Sequence, residues 1–492
     1  MCGSVACGSI GGEIVTAVQG AVEGASFEPG SYRDRDGRVL YGDSGRVFRA
    51  LSARGFEQWQ AIEQSTFWKQ GLASGEIVGT RPIKADELAT SGLDVSERWV
   101  GFLEHDRIPF ISYPYEWTFG MLRDAALSQL TLLERALAEG FTLKDGTAYN
   151  TQWRGVQPTF IDVASFERWP VGIPWTGYRQ FCQTFLYPLF LQAYKNVAFH
   201  PWLRGRLDGI APEDFNNLCS WRDLFRRGVF VHSFLHAHLQ SSRAIGNTDV
   251  RKSLSRDGLE AKMVLNTVGS LRRLVEKLKW KAARSTWSDY APAYTDDDWT
   301  LKQQFVREAL RQVAPAQVWD LGCNTGTFSR LAAEQAERVV ALDGDHLAVE
   351  KLYQSLREES GSLAARRILP LVGNVVDSSP DLGWRGTERK SWAHRGKPDL
   401  VLALALVHHV VLGAGVPLAE FIDWLANLGG AVVLEFVDKE DPQARRVLHN
   451  RGDDDPDYSL EACVQGLKTR FGLVRQEPLT CGTRTLLFAQ PR

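Results

Sequence analysis

Hydrophobic residues in the second half of the chain form short apolar runs separated by amphipathic stretches. Such runs are typical of β-strands buried on both faces, and the stretches between them have helical spacing. The last two runs, "FGLVRQEPLT" and "TRTLLFAQ", predict an antiparallel hairpin at one edge. This alternation predicts an α/β fold with a mostly parallel sheet. The predicted parallel strands are Gln317–Leu321, Arg338–Asp343, Ile368–Gly373, Asp399–Leu406 and Ala431–Phe436.

The first half of the chain has a different pattern. Short strand-like runs, "RVLY" and "RVFRALS", flank the turn "GDSG", and a helical segment around Phe56–Lys69 follows. Leucines that recur on one face predict a long amphipathic helix over Thr118–Glu139. An aromatic-rich helical region then extends to "FVHSFLHAHLQ". These elements predict an α+β domain that precedes the α/β domain.

The stretch from Ser241 to Ser288 separates the two patterns. Its composition becomes polar and then basic ("SLRRLVEKLKWKAARS"), which is typical of a solvated connector helix with one packed face. A helix for a nucleic acid or a membrane surface is the alternative. The chain therefore divides into a flexible tail over 1–30, an α+β domain over 31–240, a basic helical linker over 241–287 and an α/β domain over 288–492.

Composition narrows the possible partners. A formal net charge of −2 gives no electrostatic reason to expect nucleic acid or an anionic membrane as the main partner. No apolar run reaches the roughly 18 residues that span a bilayer. The amino terminus lacks the basic start of a signal peptide. The cysteines are scattered without paired short spacings, which favours reduced thiols in a cytoplasmic protein over a zinc site.

The turn "DLGCNTG" contains candidate ligand-binding residues. Gly322 and Gly326 lie four residues apart, which is not the glycine spacing of a pyrophosphate loop, and no Gly-Lys-Ser/Thr follows. Asp320 places a carboxylate at the strand end, and a carboxylate favours a cation or an ammonium group over a phosphate. Asp343 ends the next strand, where an acid accepts hydrogen bonds from ribose hydroxyls.

These features resemble motif I and the following acidic strand end of class I S-adenosylmethionine-dependent methyltransferases. The resemblance covers about residues 288–492, with "LVGNVVD", "DLVLALALVHHV" and "AVVLEFV" as the third, fourth and fifth strands. It implies a Rossmann-like domain with a mostly parallel seven-stranded sheet and S-adenosylmethionine as cofactor. A Rossmann-like domain without this cofactor is the alternative. The implied cofactor-binding residues are Asp320, Gly322, Asn324, Thr325, Gly326, Asp343 and Asn374.

Two histidines are the candidate catalytic residues. His408 and His409 follow the predicted fourth strand, where a base would reach a substrate hydroxyl. Positioning can contribute about 7–11 kcal/mol and a base about 10²–10⁴-fold, so positioning is expected to dominate. Glu435 is a second candidate base, and the alternative for the histidines is that they satisfy backbone groups. Candidates for a contact with the cofactor carboxylate are Tyr290, Tyr294 and Lys302.

A second group of histidines lies in "HSFLHAHL". His232 and His236 have the i, i+4 spacing that can bind a metal on one helix face, and His238 follows. Acidic or cysteine partners are missing nearby in the sequence, so packing or surface roles are favoured.

A second signature, "LKDGTAYNTQWRGVQPTFIDVASF", lies in the first half. Asp145 precedes Asn150 by five residues, and Asp162 lies twelve residues further on, after a predicted hairpin. This arrangement resembles the catalytic loop and the metal-binding aspartate of the superfamily of protein kinases and aminoglycoside phosphotransferases. The resemblance implies that Asp145 takes the substrate proton, while Asn150 and Asp162 hold magnesium on the phosphates of ATP.

The chain also departs from the kinase pattern. Lys144 stands where the family often has arginine or glycine, and Val163 follows the metal-binding aspartate. A convincing glycine-rich loop is missing, and Arg49 takes the place of the lysine on the third strand. The alternatives are a pseudokinase lobe that binds substrate or nucleotide, or a hairpin with conveniently placed acids.

The whole chain is also loosely similar to a bacterial family of fused methyltransferases, some of them nodulation-related. We therefore predict an S-adenosylmethionine-dependent O-methyltransferase that acts on a sugar-containing or phosphorylated small molecule or glycan. One alternative is a bifunctional kinase and methyltransferase, with ATP and Mg²⁺ as further cofactors. The other is a regulator that binds S-adenosylmethionine without converting it. The oligomeric state and the acceptor atom stay open.

Overall fold

A computed structural model describes most of the chain as two packed domains. The described residues are 26–42, 45–84, 87, 98–170, 173–235, 259–281, 295–451 and 457–492. Ser26 and Phe27 already form a strand, so regular structure begins inside the range 1–30 that was predicted as a tail. The α+β domain is built on an antiparallel sheet in the order β1-β2-β3-β5-β4. These strands are β1 Ser26–Phe27, β2 Gly37–Tyr41, β3 Val47–Leu51, β4 Thr80–Pro82 and β5 Gly101–His105.

Helices and two small hairpin-like sheets complete this domain. β6 pairs with β9, and β7 pairs with β8. The strands are β6 Phe141–Leu143, β7 Thr151–Arg154, β8 Gln157–Phe160 and β9 Phe166–Arg168. The helices are α1 Ala53–Glu63, α2 Thr66–Ser74, α3 Phe119–Ala138, α4 Tyr178–Phe181, α5 Tyr187–Lys195, α6 His200–Gly205 and α7 Pro212–Leu218.

Two helix predictions in this domain have different outcomes. The predicted helix over Thr118–Glu139 agrees with α3, which begins after Thr118 because the Thr118 hydroxyl accepts a hydrogen bond from the Met121 amide. The segment predicted to be helical around Phe56–Lys69 is helical, but it divides into two helices, α1 and α2. The carboxylate of Glu139 accepts hydrogen bonds from the Thr66 and Phe67 amides at 2.7 and 2.8 Å and so caps the start of α2.

The α/β domain contains a seven-stranded sheet in the order β12-β11-β10-β13-β14-β16-β15. The first five strands in this order are parallel, and β16 runs antiparallel to both of its neighbours. The chain order reverses between β10 and β13, and ligands bind at such a switch point, outside the carboxyl ends of the strands. The strands are β10 Gln317–Leu321, β11 Arg338–Asp343, β12 Ile368–Val372, β13 Leu400–Ala403, β14 Ala431–Val437, β15 Phe471–Pro478 and β16 Arg484–Pro491.

Helices cover both faces of this sheet, as the apolar runs require. The helix α9 precedes the first strand, and its apolar face contributes Phe305, Val306 and Leu310 to the core. The helices are α9 Asp296–Val313, α10 Thr327–Ala333, α11 His346–Glu358, α12 Leu363–Arg367, α13 Trp392–Arg395, α14 Leu418–Asn427, α15 Pro442–Arg451 and α16 Leu460–Arg470.

The described part of the predicted linker contains one helix, α8 Leu259–Glu276. Its buried residues Leu271 and Val275 belong to the core, and Arg272 pairs with Glu134 of α3 at 2.9 Å. This helix therefore packs along one face against the α+β domain. Among the helices of the described residues, none combines the length and the apolar character that a bilayer crossing requires.

Buried polar contacts join the two domains. Glu116, which precedes α3, accepts hydrogen bonds from Arg395 at 2.7 Å and from the Trp392 indole at 2.8 Å. The Gly120 amide donates to Glu350 at 2.8 Å. Both Glu116 and Arg395 are almost fully buried, and breaking such a pair leaves an uncompensated buried charge. The two domains are therefore held in a defined relative position.

Candidate active site

The glycine turn after β10 has the backbone conformation that its sequence predicts. Gly322, Asn324 and Gly326 all have positive φ angles, of 75°, 49° and 83°. The amides of Gly322 and Cys323 donate to the Leu342 carbonyl at 2.8 and 3.0 Å, which ties the turn to β11. A Cβ on Gly326 would lie 2.4 Å from Leu352. Glycine is therefore required at 326 for packing as well as for φ.

Asp343 ends β11 directly beside this turn. Its carboxylate accepts hydrogen bonds from the Asn324 and Asp345 amides, each at 2.8 Å. Burial raises the pKa of Asp343, and the two amide bonds oppose that shift. A carboxylate has about four acceptor positions, so Asp343 can accept two further hydrogen bonds.

Asp320 lies deeper, under the turn. It is almost fully buried, and it accepts a hydrogen bond from the Ser329 hydroxyl at 2.5 Å. Burial raises the pKa of Asp320 to about 6, against the effect of Ser329. Ser329 was not identified from the sequence, because only the start of α10 in the fold brings it back to the strand end. The site thus has a second acid whose charge is sensitive to its environment.

Two further predicted residues lie at the rim of the same edge. Asn374 follows β12, and its side-chain oxygen accepts a hydrogen bond from the Val376 amide at 3.1 Å. A Cβ on Gly344 would lie 3.9 Å from Asn374, in van der Waals contact, so the residues that follow β11 and β12 lie side by side. Thr325 is exposed on the turn. The residues predicted to bind the cofactor therefore lie along one edge of the sheet.

The two candidate catalytic histidines lie after β13. His408 is completely buried, and neither ring nitrogen has a hydrogen-bond partner among the described residues. The rings of His408 and His409 are 3.9 Å apart. Burial, then His409 and the positive charge of Arg484, hold the pKa of His408 well below its usual range. Burial and Arg484 lower the pKa of His409 to about 4, so both rings are neutral at pH 7.

A buried chain of charges lies close to Asp320 at one end and to the two histidines at the other. Lys302 pairs with Glu435 at 2.6 Å, Glu435 pairs with Arg484 at 3.1 Å, and Arg484 pairs with Asp441 at 2.8 Å. Burial lowers the pKa of Lys302, against the opposing effect of Glu435. Glu435 is held between two cations, which disfavours it as a base. Arg484 and Asp441 gave no sequence signal, because they are 43 residues apart and meet only through the β14–β16 pairing.

The residues of the kinase-like signature also converge. Arg49 on β3 pairs with Asp162 at 2.9 Å, and both side chains are largely buried. Asn150 is buried, and its amide nitrogen has no hydrogen-bond partner in the described part of the chain. Burial, and then the charge of Asp162, raise the pKa of Asp145. The three predicted acidic and amide residues therefore share one neighbourhood, with the carboxylate of Asp162 engaged by a guanidinium.

The other candidate metal site gains no support. The ring of His232 contacts the Tyr178 hydroxyl at 2.7 Å, while His236 and His238 lie outside the described residues, as do Tyr290 and Tyr294. Within the ranges that the structure describes, no three histidine, cysteine or acidic residues are grouped to hold a metal ion. Lys302, which was predicted near the cofactor carboxylate, instead pairs with Glu435.

Solved structures that align with part of the chain include methyltransferases. The chain aligns with the N-methyltransferase NodS from Bradyrhizobium japonicum WM9 at 15% identity and a TM-score of 0.29, covering 40% of this chain and 98% of that one. It aligns with the bifunctional kinase-methyltransferase WbdD at 20% identity and a TM-score of 0.28, covering 40% of each chain. These TM-scores are low, so the description of the fold rests on the strand order given above.

Sequence comparisons identify the family. No family model matches the chain. The O-antigen chain terminator bifunctional methyltransferase/kinase WbdD of Escherichia coli is 27% identical over 151 residues, which are 30% of this chain and 19% of that protein. The comparisons thus support a methyltransferase, the enzyme class predicted from the sequence. The nodulation protein NoeA of Rhizobium meliloti (strain 1021) is 34% identical over 471 residues, 93% of this chain and 94% of that protein. The chain therefore belongs to the family of NoeA nodulation proteins.

Proposed function

We propose that the chain is an S-adenosylmethionine-dependent methyltransferase whose cofactor binds at the carboxyl edge of the seven-stranded sheet. The observation that carries this proposal is Asp343, a partly buried carboxylate held by two backbone amides beside a glycine turn at the switch point. In this proposal Asp343 binds the ribose hydroxyls and Asn374 faces the adenine. Gly322, Gly326 and Asn324 border the methionine part, with Thr325 at the rim.

The donor set fits this cofactor. Asp343 has two acceptor positions left for a pair of hydroxyls, and charge-assisted hydrogen bonds contribute about 1.5–3 kcal/mol each. Asp320 supplies a carboxylate for an ammonium group, and its raised pKa makes it responsive to a bound positive charge. An acidic site of this kind disfavours a nucleotide phosphate.

S-adenosylmethionine, when bound, supplies a methyl group that is already activated for transfer. The main task of the protein is then to position the acceptor, and His408 is the residue we assign to it. A completely buried ring with two unpartnered nitrogens is costly unless a ligand group completes its hydrogen bonds. An acceptor hydroxyl would do so. Because the pKa of His408 is depressed, the ring is available as an acceptor at pH 7 but is a weak base.

We propose a sugar-containing or phosphorylated small molecule, or a glycan, as the acceptor, with transfer to an oxygen. The support is the likeness to WbdD, whose name describes it as an O-antigen chain terminator.

We also propose a cytoplasmic location. Cys182, Cys219, Cys323, Cys463 and Cys481 are free thiols in the described part, as a reducing compartment would keep them.

The second candidate is a bifunctional kinase and methyltransferase. It is favoured by the convergence of Asp145, Asn150 and Asp162 and by the unpartnered Asn150 amide. On this proposal the α+β domain is kinase-like, and Asn150 and Asp162 would hold magnesium on ATP. The Arg49–Asp162 pair weighs against an active site of this kind, because the guanidinium neutralises the carboxylate that the metal needs.

Methyl transfer can be tested without knowing the acceptor. The full chain is incubated with methyl-labelled S-adenosylmethionine and fractionated metabolites of the producing bacterium. We expect label in polar, glycan- or phosphate-containing fractions and stoichiometric S-adenosylhomocysteine. Binding of the cofactor with no S-adenosylhomocysteine from any fraction would identify a sensor and contradict the enzymatic proposal.

A further inference from the structure

One segment of the α+β domain exposes large apolar side chains to solvent. It begins just after α7, and its most exposed members are Phe225, at 83% exposure, and Trp221, at 68%. Phe230 and Val231 are each more than half exposed. Single exposed apolar residues are common, but several of this size within eleven residues mark an interaction surface. We call this segment the aromatic-arginine surface: Trp221, Arg222, Phe225, Arg226, Arg227, Phe230 and Val231.

The backbone under this surface is firmly anchored. Asp223 is buried and accepts hydrogen bonds from Lys195 at 2.5 Å, from the Ser220 amide at 2.8 Å and from Arg226 at 3.2 Å. The Tyr194 hydroxyl donates to the Arg227 carbonyl at 3.0 Å. A Cβ on Gly228, whose φ is +84°, would lie 2.5 Å from Leu274. The aromatic side chains are therefore held outward by an ordered segment.

The charge on this surface has one sign. Arg222, Arg226 and Arg227 are all exposed, and the guanidinium of Arg222 lies 5.3 Å from the Trp221 ring. Asp223 is the one acidic residue between residues 217 and 235, and it points into the protein. Trp221 and Phe225 contact each other edge to face at 6.3 Å, which makes one apolar ridge flanked by cations.

We propose that the aromatic-arginine surface docks the protein on a bilayer that contains anionic phospholipid. Aromatic side chains favour the boundary between head groups and acyl chains, and arginines beside them are attracted to anionic head groups. The exposed rings of Trp221 and Phe225 with arginines beside them suit the boundary of such a bilayer. This attachment is peripheral and does not depend on the proposed methyltransferase activity. It would bring the enzyme to acceptors that are themselves attached to lipid.

Flotation of the full chain with lipid vesicles tests the docking. We expect recovery with phosphatidylcholine vesicles that contain about a third phosphatidylglycerol, and little recovery with phosphatidylcholine alone. Because each arginine near an anionic surface contributes about 1 kcal/mol, Arg222→Gln with Arg227→Gln should weaken binding at least about tenfold. Trp221→Ser with Phe225→Ser should weaken binding to a similar extent, since the apolar ridge is lost.

The matched control is Trp384→Ser, which removes a tryptophan of similar exposure, 65%, from the other domain and should leave flotation unchanged. All variants replace exposed side chains, so equal melting temperatures confirm that they are folded. Equal binding to neutral vesicles, or variants that float like the control, would overturn the proposal. Self-association that the Trp221→Ser and Phe225→Ser changes abolish, without any flotation, would also overturn it by assigning the surface to a second copy.

Discussion

The two domains each contain a partly buried aspartate beside a turn, but the two carboxylates are satisfied in different ways. Asp343 in the α/β domain is held by two backbone amides. Asp162 in the α+β domain is paired with the guanidinium of Arg49. Within the described chain, no lysine or arginine forms an ion pair with Asp343. Backbone donors orient a carboxylate without cancelling its charge, whereas a guanidinium does both.

This difference separates a site ready for a ligand from one that is internally neutralised. Asp343 keeps free acceptor positions for a ligand, because its two partners are backbone amides. A metal at Asp162 would have to compete with a charge-assisted bond that is already formed. The comparison therefore predicts strong cofactor binding in one domain and weak metal-nucleotide binding in the other.

The largest effect is expected for Asp343→Ala. Loss of two charge-assisted hydrogen bonds should weaken S-adenosylmethionine binding about 10²–10⁴-fold in isothermal titration calorimetry. Asp162→Ala is the matched control in the other domain and should leave this affinity unchanged. Asp343→Asn keeps the shape of the side chain, so its affinity for S-adenosylmethionine should lie between those of Asp343→Ala and Asp162→Ala. An unchanged affinity in Asp343→Ala would remove the cofactor assignment.

A smaller effect is expected for His408→Gln, which keeps a polar side chain in the buried position. If His408 accepts a hydrogen bond from the acceptor hydroxyl and so positions it, kcat for methyl transfer to an active fraction should fall about a hundredfold. The affinity for S-adenosylmethionine should be unchanged. His394→Gln, at an exposed histidine, is the control. A loss of less than about tenfold would eliminate the role of His408 in positioning the acceptor.

The pH dependence of binding sharpens the assignment of Asp320. Its pKa is raised to about 6, so its carboxylate is ionised above this pH and protonated below it. An ammonium group prefers the ionised form, so the affinity for S-adenosylmethionine should fall as pH drops, by about tenfold between pH 7 and pH 5. Asp320→Asn should bind more weakly at pH 7 and lose this dependence. A pH dependence that persists in Asp320→Asn would assign it to another group.

The smallest effect is expected in the α+β domain. Because Arg49 engages Asp162, ATP with Mg²⁺ should raise the melting temperature by only about 1 °C at concentrations near a weak dissociation constant. Differential scanning fluorimetry with and without Mg²⁺ measures this shift. A shift of several degrees that Asp162→Ala abolishes would instead support the bifunctional alternative.

The strands of the α/β domain were largely predictable from the sequence. The predicted bounds of Gln317–Leu321 and Arg338–Asp343 coincide with β10 and β11, because each apolar run is bounded by polar residues. The predicted strand Asp399–Leu406 is too long. The structure ends β13 at Ala403, since Ala405 has a φ of +52° and the chain turns away from the sheet although its residues stay apolar.

The shared location of the residues proposed to bind the cofactor was predictable, because they lie at strand ends and the carboxyl ends of parallel strands meet at one edge. The surroundings of the candidate catalytic residues could not be predicted from the sequence. The partners of Glu435 come from a helix before the sheet and from its last strand, and only the tertiary register brings them together. The depressed pKa of His408 likewise depends on burial, which a loop sequence does not reveal.

A crystal structure of the full chain with S-adenosylhomocysteine tests the central claim most directly. The account predicts both ribose hydroxyls on the carboxylate of Asp343, with the adenine beside Asn374 and the methionine part along the turn from Gly322 to Gly326. Density for the ligand elsewhere in the chain, or no density at this edge at saturating concentration, would contradict it.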